Sequence, residues 1–291
     1  MTTVDNRAES TVTILGCGYV GTAMARVLCA QGHPVVGTTT RAERLPEIGD
    51  TGARGAIARL DDPESLRAAL AGSTVALMSA AAGRGGDYEA VYLRGARAFV
   101  EALDPSVVEY AVFLSATSVY GQDDGSLVDE DSPVEPPTPR ARVLRRSELA
   151  FLSAAQAREV DALILRLSGI WGPGRDPAEW MARRGPVHPG DGAEYLNLVH
   201  LDDIVAALAA AILRRPTGLL NLSNPHPLRR CDFYPALAAS LGCESPRFER
   251  PLPSPDHARG KRVDGRRATR VLDLTLRFPH HPGCASIGEQ P

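Results

Sequence analysis

The segment TVTILGCGYVGTAMARVL, residues Thr11–Leu28, specifies the type of fold. Its apolar, β-branched opening, Val12–Leu15, predicts a short buried strand. Gly16, Gly18 and Gly21 follow at once in the spacing G-x-G-x-x-G, and a helical pattern continues from there. A strand, a glycine turn and a helix in direct succession are typical of a turn that binds phosphate groups.

Each glycine of this turn has a physical task. Gly16 allows the sharp turn out of the strand, Gly18 lets a pyrophosphate approach the backbone, and Gly21 lets helix and strand pack closely. The N–H groups and the dipole of the helix N-terminus would face the anion. The sequence therefore predicts a dinucleotide site, against the alternative of a purely structural turn. The predicted contacts are Gly16, Cys17, Gly18, Tyr19, Val20 and Gly21.

The end of the second predicted strand, Pro34–Thr39, bears on the choice of cofactor. In folds that prefer NAD, an acidic residue near this point binds the ribose 2′-hydroxyl, but here Thr40 and Arg41 follow and the first carboxylate is Glu43. Because arginine and hydroxyl groups bind a 2′-phosphate that a carboxylate would repel, NADP is favoured, with NAD as the alternative. The predicted contacts are Thr39, Thr40 and Arg41. A solvated loop charge is the simpler interpretation of Arg41.

Strands and helices then alternate along the chain, which predicts an α/β fold with a doubly wound parallel Rossmann sheet. The ends of the third and fourth predicted strands add the expected cofactor contacts Leu60, Asp61, Ala80 and Ala81. At 291 residues the chain exceeds the usual size of one core. We expect a dinucleotide-binding domain at 1–170 and a smaller substrate lobe at 171–291, interleaved with the last Rossmann elements.

Composition excludes several classes of partner. The balance of 32 basic against 35 acidic residues gives a net charge of −3, which predicts neither a nucleic-acid nor a membrane partner. Met1–Ser10 lacks an apolar core, so no signal peptide is expected. The five cysteines are scattered without a C-x-x-C pair, which predicts no metal site and fits a reducing cytoplasm.

Several motifs in order resemble the extended short-chain dehydrogenases/reductases of the NAD-dependent epimerase/dehydratase superfamily, especially their atypical branch. After the glycine turn these are FLSATSVYG (Phe113–Gly121), LRLSGIWGPG (Leu165–Gly174), YLNLVHLDDIVAAL (Tyr195–Leu208) and GLLNLSNPHPL (Gly218–Leu228), followed by a terminal segment at Gly260–Gly283. The resemblance implies a small-molecule substrate, allows a homodimer, and adds Gly169 and Ile170 to the expected cofactor contacts.

The usual catalytic residues of that superfamily are not preserved. The family's catalytic hydroxyl falls on Ala116, and its Y-x-x-x-K pair falls on Leu144 and Glu148. Leucine cannot exchange a proton, and a glutamate beside a phenol would raise the pKa of that phenol rather than lower it. Alcohol oxidation by the familiar tyrosine–lysine relay is therefore not expected.

Other groups are candidates for the chemistry: Ser115, Thr117, Tyr120 and Glu148. Burial beside a cofactor would suit Glu148 to acid–base work, whereas a helix-surface glutamate paired with Arg145 or Arg146 is the simpler interpretation. Capping of backbone groups is the alternative for the hydroxyls, and packing beneath the cleft is the alternative for Tyr120. The favoured hypothesis is a reductase-like or epimerase-like enzyme without the relay. A non-redox cyclase, dehydratase or isomerase, and an inactive dinucleotide-binding regulator, are the alternatives.

Overall fold

The computed structural model describes residues 10–83 and 85–284. The expectation that there is no signal peptide concerns Met1–Ser10, and of these residues the structure describes only Ser10. The strands are β1 (Val12–Leu15), β2 (Val35–Thr39), β3 (Arg54–Ile57), β4 (Val75–Met78), β5 (Tyr110–Ala116), β6 (Leu127–Val128), β7 (Asp161–Leu167), β8 (Gly169–Trp171), β9 (Val187–His188), β10 (Tyr195–Leu196), β11 (Leu198–His200), β12 (Gly218–Leu222), β13 (Leu228–Arg229), β14 (Arg247–Phe248) and β15 (Arg262–Val263).

The α-helices are numbered in chain order as well. They are α1 (Tyr19–Ala30), α2 (Leu45–Gly49), α3 (Pro63–Leu70), α4 (Gly95–Glu101), α5 (Pro139–Ala157), α6 (Pro177–Arg184), α7 (Leu201–Arg214), α8 (Arg230–Leu241) and α9 (Arg266–Val271). The Asp62 side chain caps α3, because it accepts hydrogen bonds from the N–H groups of Glu64 and Ser65. A π-helical turn, Ala90–Arg94, precedes α4.

Seven strands form the main sheet in the order β12-β7-β5-β4-β1-β2-β3. The pairings that link β3, β2, β1, β4 and β5 are parallel. The strand order reverses direction at β1, with β2 on one side and β4 on the other, and ligands of such sheets bind at the carboxyl ends of the strands beside this point. The predicted fold class, an α/β doubly wound Rossmann sheet, is confirmed.

Apolar side chains hold the helices onto this sheet. All four residues of β1 and of β4 are buried. The ring centroid of Phe151 in α5 lies 6.4 Å from that of Phe99 in α4 and 5.4 Å from that of Phe113 in β5. Burying each such ring contributes about 1.5–3 kcal/mol, so this cluster fixes α4 and α5 against the sheet.

The chain divides into two compact units, each made of several separate segments of the sequence. The first unit comprises the residues up to Ala116, Thr138–Arg166 and Val205–Leu220. The second comprises Thr117–Pro137, Leu167–Ile204 and the residues from Asn221 onward. The chain returns to the first unit at Val205–Leu220 because β12 pairs with β7 in the main sheet.

The second unit is built from short strands and a helical core. β10 pairs with β13 antiparallel, while β8 with β11, β9 with β14 and β6 with β15 are parallel pairs. Its core consists of Trp171, Met181, Leu198, Phe233, Tyr234, Leu237, Ala238 and Cys284. In the part of the chain that the structure describes, no helix is both long and apolar enough to cross a membrane.

Candidate active site

A cavity of about 710 Å³ lies at the carboxyl ends of the strands in the first unit. Segments that follow β1, β2, β3 and β4 contribute to its wall, together with the π-helical turn and α4. Seven of the residues expected from the sequence to contact the cofactor are brought together there: Gly16, Thr39, Thr40, Leu60, Asp61, Ala80 and Ala81. The location agrees with the reversal of strand order at β1.

The three glycines of the turn are distinguished by their surroundings. Gly16 has a φ of +92°, and a Cβ on it would lie 2.6 Å from the Cα of Ala80. A Cβ on Gly21 would lie 2.4 Å from the carbonyl oxygen of Gly16. Gly18, by contrast, would place its Cβ in open space with no atom within 4 Å. Gly16 and Gly21 are therefore required for packing, whereas Gly18 leaves an open approach to the backbone.

The residues between these glycines lie outside the wall of the cavity. Cys17 is buried, its N–H donates to the carbonyl of Thr38, and burial raises the pKa of its thiol to about 11. Tyr19 and Val20 form the first turn of α1, for which Gly18 is the N-cap and no side chain provides a cap. Tyr19 and Val20 can contribute backbone N–H groups to an anion at the helix N-terminus, whereas the N–H of Cys17 is used by Thr38.

The ends of β2 and β3 form the polar part of the cavity. The hydroxyl of Thr38 accepts a hydrogen bond from the Gly16 N–H at 2.9 Å, which fixes the glycine turn to β2. Arg41 is absent from the wall; its side chain is 61% exposed and lies 3.8 Å from Glu43. Arg59 is part of the wall and donates to Asp61 at 3.2 Å, a contact that lowers the pKa of Asp61. The cation beside β2 and β3 in this wall is therefore Arg59.

Arg59 and the π-helical turn were not predicted from the sequence. Arg59 lies two residues after the end of β3, where ligands of such sheets bind, so its position was the available signal. Arg94 also lies in the wall and is ion-paired with Asp87 at 2.8 Å. No sequence signal distinguishes a π-helical turn from an ordinary helix, although such turns are frequent at functional sites.

Two further expected contacts, Gly169 and Ile170, belong to the second unit. They lie on β8, opposite Leu198 and Val199 of β11. Gly169 is exposed and Ile170 is half-buried.

Glu148 lies at the centre of a buried ion-pair cluster in the first unit. One of its carboxylate oxygens accepts hydrogen bonds from Ser115 Oγ at 2.6 Å and Arg166 Nε at 2.8 Å. The other accepts from Arg166 Nη2 at 2.7 Å and Arg145 Nη1 at 3.1 Å. A carboxylate has about four acceptor positions, so these donors use its full capacity.

The expectation of a helix-surface position for Glu148 is wrong, because its side chain is 0% exposed. Its pairing with Arg145 is confirmed, whereas Arg146 pairs with Glu89 instead, at 3.5 Å. The physical reason is the partner on β7: Arg166 is 1% exposed and supplies a bidentate counter-charge that makes burial of a carboxylate tolerable. An arginine inside the apolar run LILRL was the available signal for this pair.

Thr117 and Tyr120 are placed in the second unit. The Thr117 hydroxyl is buried and lies 3.5 Å from the hydroxyl of Ser168. Tyr120 is fully buried, and its hydroxyl donates to the Asp129 carbonyl at 2.8 Å and to Asn221 Oδ1 at 3.0 Å. This environment favours a packing role for the phenol.

The geometry of the first unit fits a nicotinamide dinucleotide. The cavity is large enough for a cofactor, Gly18 leaves the backbone open to a pyrophosphate, and hydroxyls with one arginine lie in the wall after β2 and β3. The cluster around Glu148 does not fit the acid–base pair of the family, because it contains neither a phenol nor an amine.

Comparison with known proteins identifies the family. Residues 12–222 match the NAD dependent epimerase/dehydratase family, and the chain belongs to it. The resemblance inferred from the motifs is thereby confirmed, and the chain has the NAD(P)-binding fold of that family.

Two relatives match most of the chain. Protein YeeZ of Escherichia coli strain K12 is 33% identical over 276 residues, which cover 92% of this chain and 96% of YeeZ. The 3-diazoavenalumate denitrifying reductase of a Streptomyces species is 27% identical over 248 residues, which cover 79% of this chain and 81% of the reductase. Among solved structures, MoeE5 in complex with UDP-glucose and NAD shares the fold, with a TM-score of 0.76 and 23% identity over 95% of this chain and 96% of MoeE5.

Proposed function

We propose that this member of the NAD-dependent epimerase/dehydratase family is an NADP-binding, reductase-like or epimerase-like enzyme that acts on a small molecule without a tyrosine–lysine proton relay. The observation that carries the proposal is the cavity of about 710 Å³, whose wall includes Gly16 of the glycine turn, together with the open backbone of Gly18 in the same turn. Gly18 and the N-terminus of α1 would hold the pyrophosphate, and the walls after β2, β3 and β4 would hold the adenosine half.

The preference for NADP is supported by the polar wall of the cavity. Thr38, Thr39 and Thr40 present hydroxyls there, and Arg59 adds a guanidinium. These groups suit a 2′-phosphate, because a guanidinium forms charge-assisted hydrogen bonds with phosphate oxygens. Asp61 is the acidic residue of the wall after β3, and its carboxylate is already paired with Arg59. The choice of NADP therefore depends on Arg59 rather than on Arg41.

The proposed chemistry follows from the cluster around Glu148. A reduced nicotinamide supplies a hydride when it is bound. The two carboxyl oxygens of Glu148 accept four hydrogen bonds from Arg166, Arg145 and Ser115, so neither oxygen is available to a substrate. The Glu148 side chain therefore orients Ser115. Acceptors that need little acid catalysis, such as imines, conjugated systems and diazonium groups, suit this arrangement best.

The Streptomyces relative supports this class of substrate, because its name describes a reductase of a diazo compound. Hydride addition to the terminal nitrogen of a diazonium ion gives a diazene, whose carbon–nitrogen bond then breaks to release N₂ while the hydrogen replaces nitrogen on the carbon. No proton from the protein is needed for that balance. We therefore propose an electron-poor hydride acceptor as the substrate.

The first test is calorimetric titration of the purified protein with NADPH and NADH. We expect both to bind, with NADPH the tighter of the two. Absence of binding by either at millimolar concentration would refute the proposed function.

The second test compares hydride acceptors at saturating NADPH. We expect loss of NADPH absorbance with an arenediazonium salt, corrected for a reaction without protein. Consumption of simple ketones in its place would contradict the proposed substrate class.

A further inference from the structure

A cavity of about 310 Å³ lies within the second unit. Three segments line it: the loop after β12, the start of α9 and the chain that follows α9. It shares no wall residue with the cavity of the first unit, so the dinucleotide site does not account for it.

Contacts within the second unit hold these segments in place. A Cβ on Gly265 would lie 2.7 Å from the carbonyl oxygen of Ser223, so the start of α9 packs directly on the loop after β12. The buried carboxylate of Asp203 accepts hydrogen bonds from the N–H groups of Arg277 at 2.7 Å and Phe278 at 3.1 Å. The chain after α9 is thereby anchored, and the cavity has a defined shape.

The burial of the wall residues distinguishes the floor of the cavity from its opening. Ser223 and Gly265 are buried. Pro225, Arg266 and Thr275 are exposed. Ser223 therefore belongs to the floor.

Three hydroxyl side chains of the wall differ in whether they have a partner. The hydroxyl of Thr269 donates to the carbonyl of Arg266 at 3.0 Å, and Thr275 is exposed, so water can bind its hydroxyl. The side chain of Ser223 is 1% exposed, and its hydroxyl has no hydrogen-bond partner among residues 10–83 and 85–284. A buried hydroxyl without a partner is unfavourable, and a ligand in the cavity would supply one.

The other wall groups are apolar or already neutralised. Leu274, Leu276 and Pro279 provide apolar surface. The Nε of Arg266 donates to the two carboxylate oxygens of Asp264 at 3.0 and 2.9 Å, which compensates the charge of this guanidinium. The wall therefore suits a neutral ligand with an apolar body.

We propose that this cavity binds a small neutral molecule that has an apolar ring and one hydroxyl group, and that this hydroxyl pairs with the hydroxyl of Ser223. The inference goes beyond the proposed function, because it assigns a ligand to a different cavity. Serine can donate or accept, so a phenol or an alcohol can bind to it in either direction. Small-molecule sites typically have volumes of about 300–1,000 Å³, with apolar walls and few polar groups.

Two probes of nearly equal shape test the proposal on the full-length protein. para-Fluorophenol carries a hydroxyl where para-fluorotoluene carries a methyl group. In fluorine NMR titrations we expect saturable binding of the phenol in the millimolar range. The toluene should bind about fivefold more weakly, because it leaves the hydroxyl of Ser223 without a partner. Absence of saturable binding by the phenol, or equal binding of the two probes, would overturn the proposal.

Substitution of the floor residue gives the matched comparison. Ser223→Ala should fold with an unchanged or higher melting temperature, because the hydroxyl that it removes has no partner in the described part of the chain. Its affinity for para-fluorophenol should fall about fivefold, to that for para-fluorotoluene. The control, Ser254→Ala, removes an exposed hydroxyl of the second unit outside the wall and should bind the phenol like the unaltered protein. Equal binding of the phenol by Ser223→Ala and the unaltered protein contradicts the proposal.

A third variant and a competition experiment test where the probes bind. Thr275→Trp places a large ring at the opening and should weaken binding of both probes about tenfold or more; unchanged binding would speak against this cavity. Saturating NADPH should leave probe binding unchanged, and competitive displacement of the phenol by NADPH would overturn the proposal. Because the probe titrations need no NADPH, a failure of dinucleotide binding would refute the proposed function without altering their result.

Discussion

Two regions of the main sheet differ in whether their polar groups are available to a ligand. A cavity of about 710 Å³ lies at the carboxyl ends of β1 to β4, and the backbone of Gly18 after β1 is open. At β5 and α5, where the resemblance places the catalytic residues, Glu148 is buried and its carboxylate is occupied by Ser115, Arg166 and Arg145. The first region offers groups to a ligand, whereas the second satisfies its own groups internally.

The contrast indicates that binding and proton transfer are separable in one fold. A dinucleotide site needs backbone geometry, which three glycines supply. A proton relay needs titratable groups that a substrate can reach, and the hydrogen bonds of Glu148 are all made within the protein. A chain of this fold can therefore have the first property without the second.

The largest effect is expected when the ion-pair cluster around Glu148 is disrupted. Glu148→Gln leaves Arg166 buried without its main counter-charge, which should lower the free energy of unfolding by about 3 kcal/mol. Urea denaturation followed by circular dichroism measures this. The matched control is Glu89→Gln, which removes the exposed partner of Arg146 and should cost no more than about 0.5 kcal/mol. Equal stability of the two variants would show that the ion pairs of Glu148 do not stabilise the fold.

A somewhat smaller effect is expected when a side chain is introduced at the open backbone of Gly18. Gly18→Asp places a carboxylate in the approach to the backbone and should weaken NADPH binding about a hundredfold, or about 2.7 kcal/mol. The melting temperature should be kept, since a Cβ at this position meets no atom within 4 Å and aspartate is a good N-cap.

Gly49→Asp is the control for this variant, because a Cβ on exposed Gly49 also meets no atom within 4 Å and the residue lies outside the cavity wall. Titration calorimetry on both proteins makes the comparison. Unchanged affinity in Gly18→Asp would mean that the open backbone is not where the pyrophosphate binds.

The smallest effect concerns which arginine selects the cofactor. Arg59→Ala should weaken NADPH binding about tenfold, or about 1.4 kcal/mol, and leave NADH binding nearly unchanged, since NADH has no 2′-phosphate. Arg67→Ala, an exposed change on α3, is the control. A larger loss of NADPH affinity in Arg41→Ala than in Arg59→Ala would restore Arg41 as the residue that selects NADP.

Part of the site could be predicted because it depends on local geometry. The glycine spacing predicts Gly16, and the ends of strands predict Thr39, Leu60 and Ala80, as residues that meet at one site; all four lie in the wall of the cavity. Cytoplasmic location and a homodimer stay predictions, since they depend on surroundings outside the chain. Arg59 was missed because a single charged residue after a strand resembles any solvated loop charge.

The loss of the tyrosine–lysine relay stays a prediction from the sequence. The amino-acid sequence alone was enough to predict the alternation of strands and helices and the glycine turn. These follow from residue spacing, because backbone conformation and apolar periodicity are local properties. Only the folded chain reveals that Glu148 is buried, since its partners Ser115 and Arg166 are 33 and 18 residues away along the chain. Whether a carboxylate is a solvated charge or a fixed ion depends on which donors the fold brings to it, and spacing does not specify those donors.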